Sequence, residues 1–437
     1  MSDTIFALSS APGRAGVAVI RVSGPEARNC VANLSGLPSF RPRVARLCRL
    51  RDGNGETIDQ ALVLWFPAPA SFSGEDMAEF HVHGGRAVVA RVLETLAAVA
   101  GCRPADRGEF TRRAVENGKL DLTQAEALAD LIDAETEVQR RQGLRQYDGA
   151  LSRLYEGWRE RLIQSLAWAE AAIDFSDEEL PPDVLLRSRS ALSEIIQEIQ
   201  THIEDSRRGE IVREGVYLTV IGPPNAGKSS LLNALAKRDV AIVSESPGTT
   251  RDIIEVKLDL GGYAVVVADT AGLREAADAV ESEGVQRALA RADASDLVLL
   301  LLDASAEEPY RGLPAKLAQA ASVIVWNKCD LPAPQARAGL KLSLKTGEGL
   351  DAVIAAISTK VAERLEVPGE APVLTRARHR RALQLALQAL RRSLKAGDVE
   401  LFAEDLRLAV RAIGRITGRV DVEELLDVVF RDFCIGK

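Results

Sequence analysis

No C-x-x-C pair occurs in the sequence, and its five cysteines, Cys30, Cys48, Cys102, Cys329 and Cys434, are odd in number and scattered. That spacing argues against a disulfide framework and against a zinc site, so each is expected to be a free thiol. No run approaches the roughly 18 apolar residues needed to span a bilayer. The opening Met1-Ser-Asp-Thr-Ile-Phe-Ala-Leu8 has no basic leader before its apolar stretch, so a cytoplasmic protein without a membrane contact is expected. An excess of positive charge is also missing. The formal charge of −8 gives no broad field attracting nucleic acid, and any RNA contact must be local or shared with a partner. The basic clusters at 376–381, 391–392 and 140–145 read first as solvated helix faces. No fixed-period repeat or low-complexity tract is visible.

What is present is an ordinary globular composition, 46% hydrophobic and 27% charged, over a length that calls for two to four domains rather than one core. Up to about residue 118 short β-branched runs alternate with turns. Strands are expected at Thr4 to Leu8, Gly16 to Val22, Val44 to Leu50, Ala61 to Phe66 and Met77 to Val82, with one helix over Ala87 to Ala100. This is an α+β pattern. From Thr123 the period changes. Thr123-Gln-Ala-Glu126 reads as a capping box, and apolar residues from Leu144 through Tyr147, Leu151, Trp158 and Leu162 to Ile173 recur every three or four positions, predicting one stripe along a long helix. Pro181-Pro182 ends it, and Asp183 is placed to cap the next helix. Helical periodicity returns at Leu383 to Leu394, at Leu401 to Ile416 and after Asp421. Helices before and after a central region suggest one bundle with that region inserted. The expected divisions are 1–118, 119–214, 215–365 and 366–437.

The central region carries the chemistry. The apolar strand Val216 to Ile221 leads into Gly222-Pro-Pro-Asn-Ala-Gly227-Lys228-Ser229 and then a helix, the setting that a G-x-x-x-x-G-K-S phosphate loop requires. Backbone N–H groups and the helix N-terminus surround phosphate oxygens there, Lys228 reaches the β- and γ-phosphates, and Ser229 holds Mg²⁺. Three further elements follow in order. Thr250, after Pro247-Gly248-Thr249, is placed to complete Mg²⁺ coordination when a γ-phosphate is present. Asp269-Thr270-Ala271-Gly272 ends an apolar run, with Asp269 reaching the metal through water and the N–H of Gly272 facing the γ-phosphate. Asn327-Lys328-Cys329-Asp330 ends another strand and selects the base, because a carboxylate accepts from guanine N1–H and its 2-amino group while adenine has neither donor. Such a site can reject the wrong base by something on the order of 10⁴. Ser343-Leu344-Lys345 closes the base pocket with backbone donors. The nucleotide-contacting set is therefore Asn225, Ala226, Gly227, Lys228, Ser229 and Ser230; Ser244, Glu245, Ser246, Pro247, Gly248, Thr249 and Thr250; Asp269 to Gly272; Asn327 to Asp330; and Ser343 to Lys345, with Ser229 and Thr250 on Mg²⁺ and GTP or GDP as the ligand.

Hydrolysis needs a positioned water and relief of transition-state charge. The residue after Asp-x-x-Gly is Leu273 rather than a Gln, so the water must be oriented otherwise. Glu281 is the candidate, with a solvated loop carboxylate as the competing reading. Arg251 and Arg274 are candidate arginine fingers in cis, with plain surface charge as the alternative.

The string GPPNAGKSSLLNAL over Gly222 to Leu235, Thr249-Thr-Arg-Asp252 and Asp269 to Arg274 resembles the MnmE, or TrmE, family of tRNA uridine-modification GTPases. The resemblance runs over essentially the whole chain. It includes Pro12-Gly-Arg-Ala-Gly16 with Arg21-Val-Ser-Gly24, Ser73-Gly-Glu-Asp76, His81-Val-His-Gly-Gly85, Gly108-Glu-Phe-Thr-Arg112, Asn117-Gly-Lys-Leu-Asp121 and the closing Phe433-Cys-Ile-Gly-Lys437. It implies a multidomain α+β and α/β protein: an N-terminal α+β folate-binding-like domain that also makes a homodimer, a central helical bundle, and a Ras-like α/β P-loop G domain inserted into the bundle. It further implies an FAD- and NADH-dependent partner of the MnmG (GidA) type in a heterotetramer or larger complex. Together they would add an aminomethyl or carboxymethylaminomethyl group to C5 of the wobble uridine of certain tRNAs.

By the same resemblance a tetrahydrofolate derivative, 5-formyl or 5,10-methylene, would contact Arg21, Glu79, Lys119 and Lys437. K⁺ would be held by Asn225 and by groups around Ser244, Ser246 and Thr249, supplying the charge an arginine finger gives elsewhere, with capping of the loop as the alternative role for Asn225. Cys434 falls where the family carries a cysteine linked to the modification reaction, whereas by bulk statistics it would be a buried small apolar residue. Pro223-Pro224 and Ser343-Leu-Lys depart from the commoner forms, both in segments that use backbone contacts. The competing reading is a GTP-dependent switch that binds RNA or the ribosome and catalyses nothing more. A membrane-remodelling GTPase would need an amphipathic or basic membrane-facing segment, and none outweighs the acidic balance.

Overall fold

Alternating burial along the first strands puts one face of a sheet onto a core. The strands are β1 (Thr4–Leu8), β2 (Ala15–Ser23), β3 (Arg46–Arg51), β4 (Thr57–Phe66), β5 (Met77–Gly84) and β6 (Cys102–Pro104), in the order β3-β4-β5-β2-β1-β6. Helices α1 (Ala27–Ser35) and α2 (Arg86–Ala97) cover that face, where Phe6, Ile20, Val22, Leu34, Val63, Phe80, Val82 and Leu96 are buried together. The computed structural model describes residues 3–174, 184–204, 206–238, 240–242, 255–269, 289–334, 339–365, 372–420, 426, 429–430 and 433–436. The chain divides into two compact units, Met1–Ala129 with Gln146–Ser188 and Arg392–Lys437, and Asp130–Arg145 with Arg189–Arg391. Among the described residues no helix is long and apolar enough to cross a membrane.

In the first unit, α3 (Glu109–Glu116) and α4 (Leu122–Ile132) follow the sheet. The structure corrects the expected capping box. Asp121, not Thr123, starts α4: its carboxylate accepts from the Gln124 N–H at 3.0 Å while the Gln124 side chain accepts from the Asp121 N–H at 3.1 Å. The reciprocal pattern is that of a capping box, set two residues upstream because Leu122 is fully buried and must already lie on the helix. The single long helix is corrected as well. It is two, α5 (Glu137–Tyr147) and α6 (Ala150–Asp174), parted at Gly149, whose φ of +84° lies in the left-handed region. Helix α6 buries Leu151, Tyr155, Trp158, Leu162 and Ala169. It carries Glu156 and Glu170, whose carboxylates meet Thr417 Oγ1 at 2.6 Å and Arg407 at 2.9 Å on α13 (Val399–Thr417). A helix that precedes the second sheet in the chain thus packs on one that follows it.

Late residues also return to the first sheet. The Gly108 N–H donates to the Cys434 carbonyl at 3.2 Å, Arg107 and Ile435 form an antiparallel bridge, and the Ser9 hydroxyl donates to the Gly436 carbonyl at 2.8 Å. Gly436, at φ +94°, allows no side chain here, since a Cβ would lie 2.1 Å from the Leu8 oxygen.

The second unit is built on β7 (Val216–Ile221), β8 (Glu255–Leu260), β9 (Tyr263–Asp269), β10 (Leu297–Asp303), β11 (Val323–Asn327) and β12 (Leu340–Lys341), in the order β12-β11-β10-β7-β9-β8. All pairings are parallel except that of β8, which runs antiparallel to β9 at the edge. The near-continuous apolar run of β10 is what a strand covered on both sides requires. The helices of this unit are α7 (Val184–Glu204, from Arg189 on), α8 (Ser206–Glu214), α9 (Lys228–Ala236), α10 (Ala315–Ala320), α11 (Leu350–Leu365) and α12 (Ala377–Ser393). The start of α5 docks on the β8–β9 turn: the Val138 N–H donates to the Gly262 carbonyl at 3.1 Å, and Lys257 pairs with Glu135 at 3.0 Å.

Candidate nucleotide-binding site

Strand β7 is central in its sheet, and the loop 222–227 leaves its C-terminal edge for α9. In such sheets this edge, where strand order reverses, is where ligands bind. The loop lies directly on β10: a Cβ at Gly222 would stand 2.1 Å from the Leu301 carbonyl oxygen. Asn225 and Gly227 adopt left-handed conformations, φ +61° and +104°, the kind of backbone that turns successive N–H groups inward to an anion. Lys228 arches back over the loop and donates from Nζ to the carbonyls of Gly222 and Pro223, each at 2.9 Å. Ala226 is buried, while Asn225, Ser229 and Ser230 are exposed at the loop and the first turn of α9. The N-terminal N–H groups of that helix add the positive end of its dipole.

The base-selecting loop leaves the end of β11 two strands away. Asn327 is buried and ties the two loops together: its Nδ2 donates to the Ala226 carbonyl at 2.8 Å, and its Oδ1 accepts from the Leu344 N–H at 3.2 Å. One side chain thereby holds the phosphate loop, the Asn-Lys-Cys-Asp loop and the Ser343–Lys345 segment in a single arrangement. The Ser343 hydroxyl donates to the Asp330 carboxylate at 2.7 Å, and the Cys329 N–H donates to the Leu342 carbonyl at 3.1 Å. Lys328 stands at φ +62° and pairs through Nζ with Asp303 at 2.6 Å. Burial alone raises the Asp303 carboxyl pKa, but hydrogen bonds from Lys328 and Ser305 outweigh it and hold the group below its ordinary value.

Asn225 to Ser230, Asn327 to Asp330 and Ser343 to Lys345 are thus brought to one edge of the sheet. Asp269 is the last residue of β9, its backbone paired with Val220 just before the loop. The Ser244–Thr250 stretch, Arg251, Thr270–Gly272, Leu273, Arg274, Glu281, Pro181-Pro182, Asp183 and Lys437 lie outside the described residues. Asp303 was missed by the sequence reading; its only signal is its place, ending an apolar run beside the base-selecting strand. Among the described residues no cluster of three His, Cys, Asp or Glu side chains is placed to hold a metal.

A second constellation occupies the first unit. Arg21 on β2 and Glu79 on β5 are register partners and form an ion pair at 2.9 Å, with His81 Nε2 3.3 Å from the same carboxylate. The Arg21 guanidinium lies 5.2 Å from the Phe72 ring centre and 5.7 Å from that of Phe110. Lys119 is exposed and donates to the Pro69 carbonyl at 3.1 Å. Phe110 falls within Gly108-Glu-Phe-Thr-Arg112, whereas Phe72 belongs to none of the motifs read from the sequence. All five cysteines are free, and Cys434 is exposed, which corrects the expectation of burial drawn from bulk statistics.

A model of the GTP-binding protein TrmE N-terminus matches residues 4–119, and one of the MnmE helical domain matches residues 122–434. The chain belongs to the MnmE family. Relatives named tRNA modification GTPase MnmE include that of Parvibaculum lavamentivorans, 56% identical over 100% of both chains. That of Rhodospirillum rubrum is 54% identical over 100% of this chain and 99% of its own. The MnmE of Paramagnetospirillum magneticum is 53% identical over 100% of both. A solved structure, the G domain of the T. maritima FeoB iron transporter, is 23% identical, covers 34% of this chain and 98% of its own, and has a TM-score of 0.26, too low to bear on the fold. The matched span of the helical model, 122–434, includes the phosphate loop and the base-selecting loop described above.

Proposed function

We propose that the chain binds and hydrolyses GTP and that this hydrolysis serves tRNA modification. The observation that carries the reading is the single tie made by Asn327 between the phosphate loop and the base loop, in a chain of the family of tRNA modification GTPases. Asp330, oriented by Ser343, accepts from guanine N1–H and the 2-amino group, and Lys228 together with the α9 N-terminus meets the phosphates. Mg²⁺ would be held by Ser229 with Thr250 and reached through water by Asp269. K⁺ would be held by Asn225 with groups around Ser244, Ser246 and Thr249. Asn225 is exposed at the crown of the loop, which supports that role. A cation held there would relieve transition-state charge, as arginine fingers do with roughly 10³–10⁵ in rate. Glu281 is the proposed water-orienting group and Arg274 a proposed charge donor.

The measurement that tests this is steady-state GTP hydrolysis in KCl against NaCl at matched ionic strength. Hydrolysis at least tenfold faster in K⁺, and loss of that preference in Asn225→Ala, is the expected result. Equal rates in both salts would remove the K⁺ mechanism and favour the simple switch.

The wider reading is of a cytoplasmic homodimer working with an FAD-dependent partner protein on C5 of the tRNA wobble uridine, with Cys434 near the reaction. Its parts would be an N-terminal domain over 1–118, a helical domain over 119–214 and 366–437, and a G domain over 215–365. A tetrahydrofolate derivative bound at Arg21, Glu79, Lys119 and Lys437 would supply the one-carbon unit. A cation–carboxylate pair beside two aromatic rings suits a flat, hydrogen-bonding heterocycle with an anionic tail. In a calorimetric titration with 5-formyl-tetrahydrofolate, Arg21→Ala is expected to weaken binding at least tenfold. Unchanged affinity in that variant would move the folate elsewhere.

A further inference from the structure

The Lys328 ammonium is the only charged donor of the Asn-Lys-Cys-Asp loop, and its partner lies on the neighbouring strand. Asp303 is the last residue of β10 and the register partner of Asn327, and the Ala304 N–H donates to the Asn327 carbonyl at 2.8 Å. The carboxylate is held from both sides. One oxygen accepts from Lys328 Nζ at 2.6 Å; the other accepts from the Ser305 N–H at 2.9 Å and the Ser305 hydroxyl at 2.6 Å. With both oxygens engaged it cannot turn without losing a bond. Lysine is a flexible four-carbon stem ending in a compact charge, and left alone it would sample many rotamers. Its backbone is also in the left-handed region, sparsely populated for a non-glycine residue. A side chain of this kind, in a loop of this kind, becomes a fixed wall only when something anchors its end.

We propose that Asp303 is a positioning residue for guanine-nucleotide recognition, anchoring Lys328 so that its stem forms a preordered wall beside the base-selecting loop. The inference rests on the reading of the chain as a GTP-binding protein. It assigns Asp303 to affinity rather than chemistry: ordering Lys328 before the nucleotide arrives removes an entropic cost of binding. The anchor and Lys328 act as one unit, so deleting either should have the effect of deleting both.

The test uses the full-length protein with Mg²⁺ and K⁺ present. Binding of a fluorescent GDP analogue and steady-state GTP hydrolysis are compared for the wild type, Asp303→Asn, Lys328→Met and the double variant. The Asp303→Asn change is expected to raise Kd and KM about tenfold, equivalent to about 1.4 kcal/mol, with kcat within twofold of wild type. In the Lys328→Met background the same change should add less than twofold. Lys328→Met removes the contact from its other side, so a folding defect in one variant leaves the comparison with the other intact. An unchanged Kd in Asp303→Asn, independent tenfold losses in the two single variants that multiply in the double, or a fall in kcat at constant KM would each overturn the proposal. Failure of the wild type to bind the analogue would instead overturn the GTP reading beneath it.

Discussion

Alanine at Gly227 is expected to lower guanine-nucleotide affinity by at least a hundredfold. The residue sits at φ +104°, and a Cβ there would lie 2.4 Å from Asn327 Nδ2. An L-residue in that conformation costs about 1–2 kcal/mol. The larger effect comes from displacing Asn327. Its amide joins the Ala226 carbonyl to the Leu344 N–H, and pushing it aside leaves buried polar groups unpaired at about 1–3 kcal/mol each. The free protein escapes these costs by letting the two loops part, so the nucleotide must restore them on binding, and roughly 3 kcal/mol or more corresponds to a factor beyond 10². Titration with a fluorescent GDP analogue measures it. A variant that binds within tenfold of the wild type would mean that the two loops do not depend on one another.

Arg113→Met should be the most damaging single change in the first unit. Arg113 is buried and donates to the Asp3 carbonyl at 2.7 Å, to Glu75 at 3.1 Å and to Glu109 at 3.2 Å. Glu75 also accepts from the Ser23 hydroxyl at 2.7 Å, and Glu109 from Arg103 at 2.6 Å. Removing one partner from such a buried network typically costs about 3–5 kcal/mol, because Glu75 stays behind without its counter-charge while Glu109 keeps only that of Arg103.

The pH dependence separates this from loss of packing. Burial raises the Glu109 pKa, but hydrogen bonds from Arg103 and the Asp106 N–H and the charges of Arg103 and Arg113 outweigh it, leaving the group below its ordinary 4.5. A depressed carboxylate contributes stability above its unfolded pKa and loses it as pH falls through the folded one. In urea denaturation, the part of the variant's deficit that comes from the charge of Arg113 on Glu109, smaller than the share Arg103 retains, should therefore be full near pH 7 and shrink below about pH 4.5. An equal deficit at both ends of that range would refute the charge account.

The described loops of the candidate nucleotide site were legible because their signals are local. Strand β7 and helix α9 flank a loop whose spacing is rigidly set, and β9 and β11 end where Asp269 and Asn327 had marked ends. Elements that escaped lack an apolar signature. Helix α1 buries Ala27, Cys30, Val31 and Leu34, a helical spacing carried partly by small residues. Helix α3 buries Glu109 and Arg113, charged positions that periodicity scores as surface. The break at Gly149 was hidden because Tyr147 and Leu151 keep a four-residue interval whether or not the helix is continuous. At the start of α4 both Asp121 and Thr123 are capping residues, and only the burial of Leu122 decides between them. Asp303 belongs to a third class: its partner lies on a neighbouring strand, and no spacing along the chain announces a contact made by sheet register.

The return of Gly436 to Ser9 sets a timetable for synthesis. The two residues are 427 positions apart, and at about 5–20 residues per second a ribosome needs roughly 20–90 s to make what lies between them. Once Pro104 has been made, and for the rest of that interval, the first sheet is on hand without the strand-like partner of Arg107 and without the plug against Leu8. The nucleotide-binding unit, made wholly within it, is free to fold and take up its ligand while the C-terminal end of β1 and the turn before α3 still wait for their last contacts.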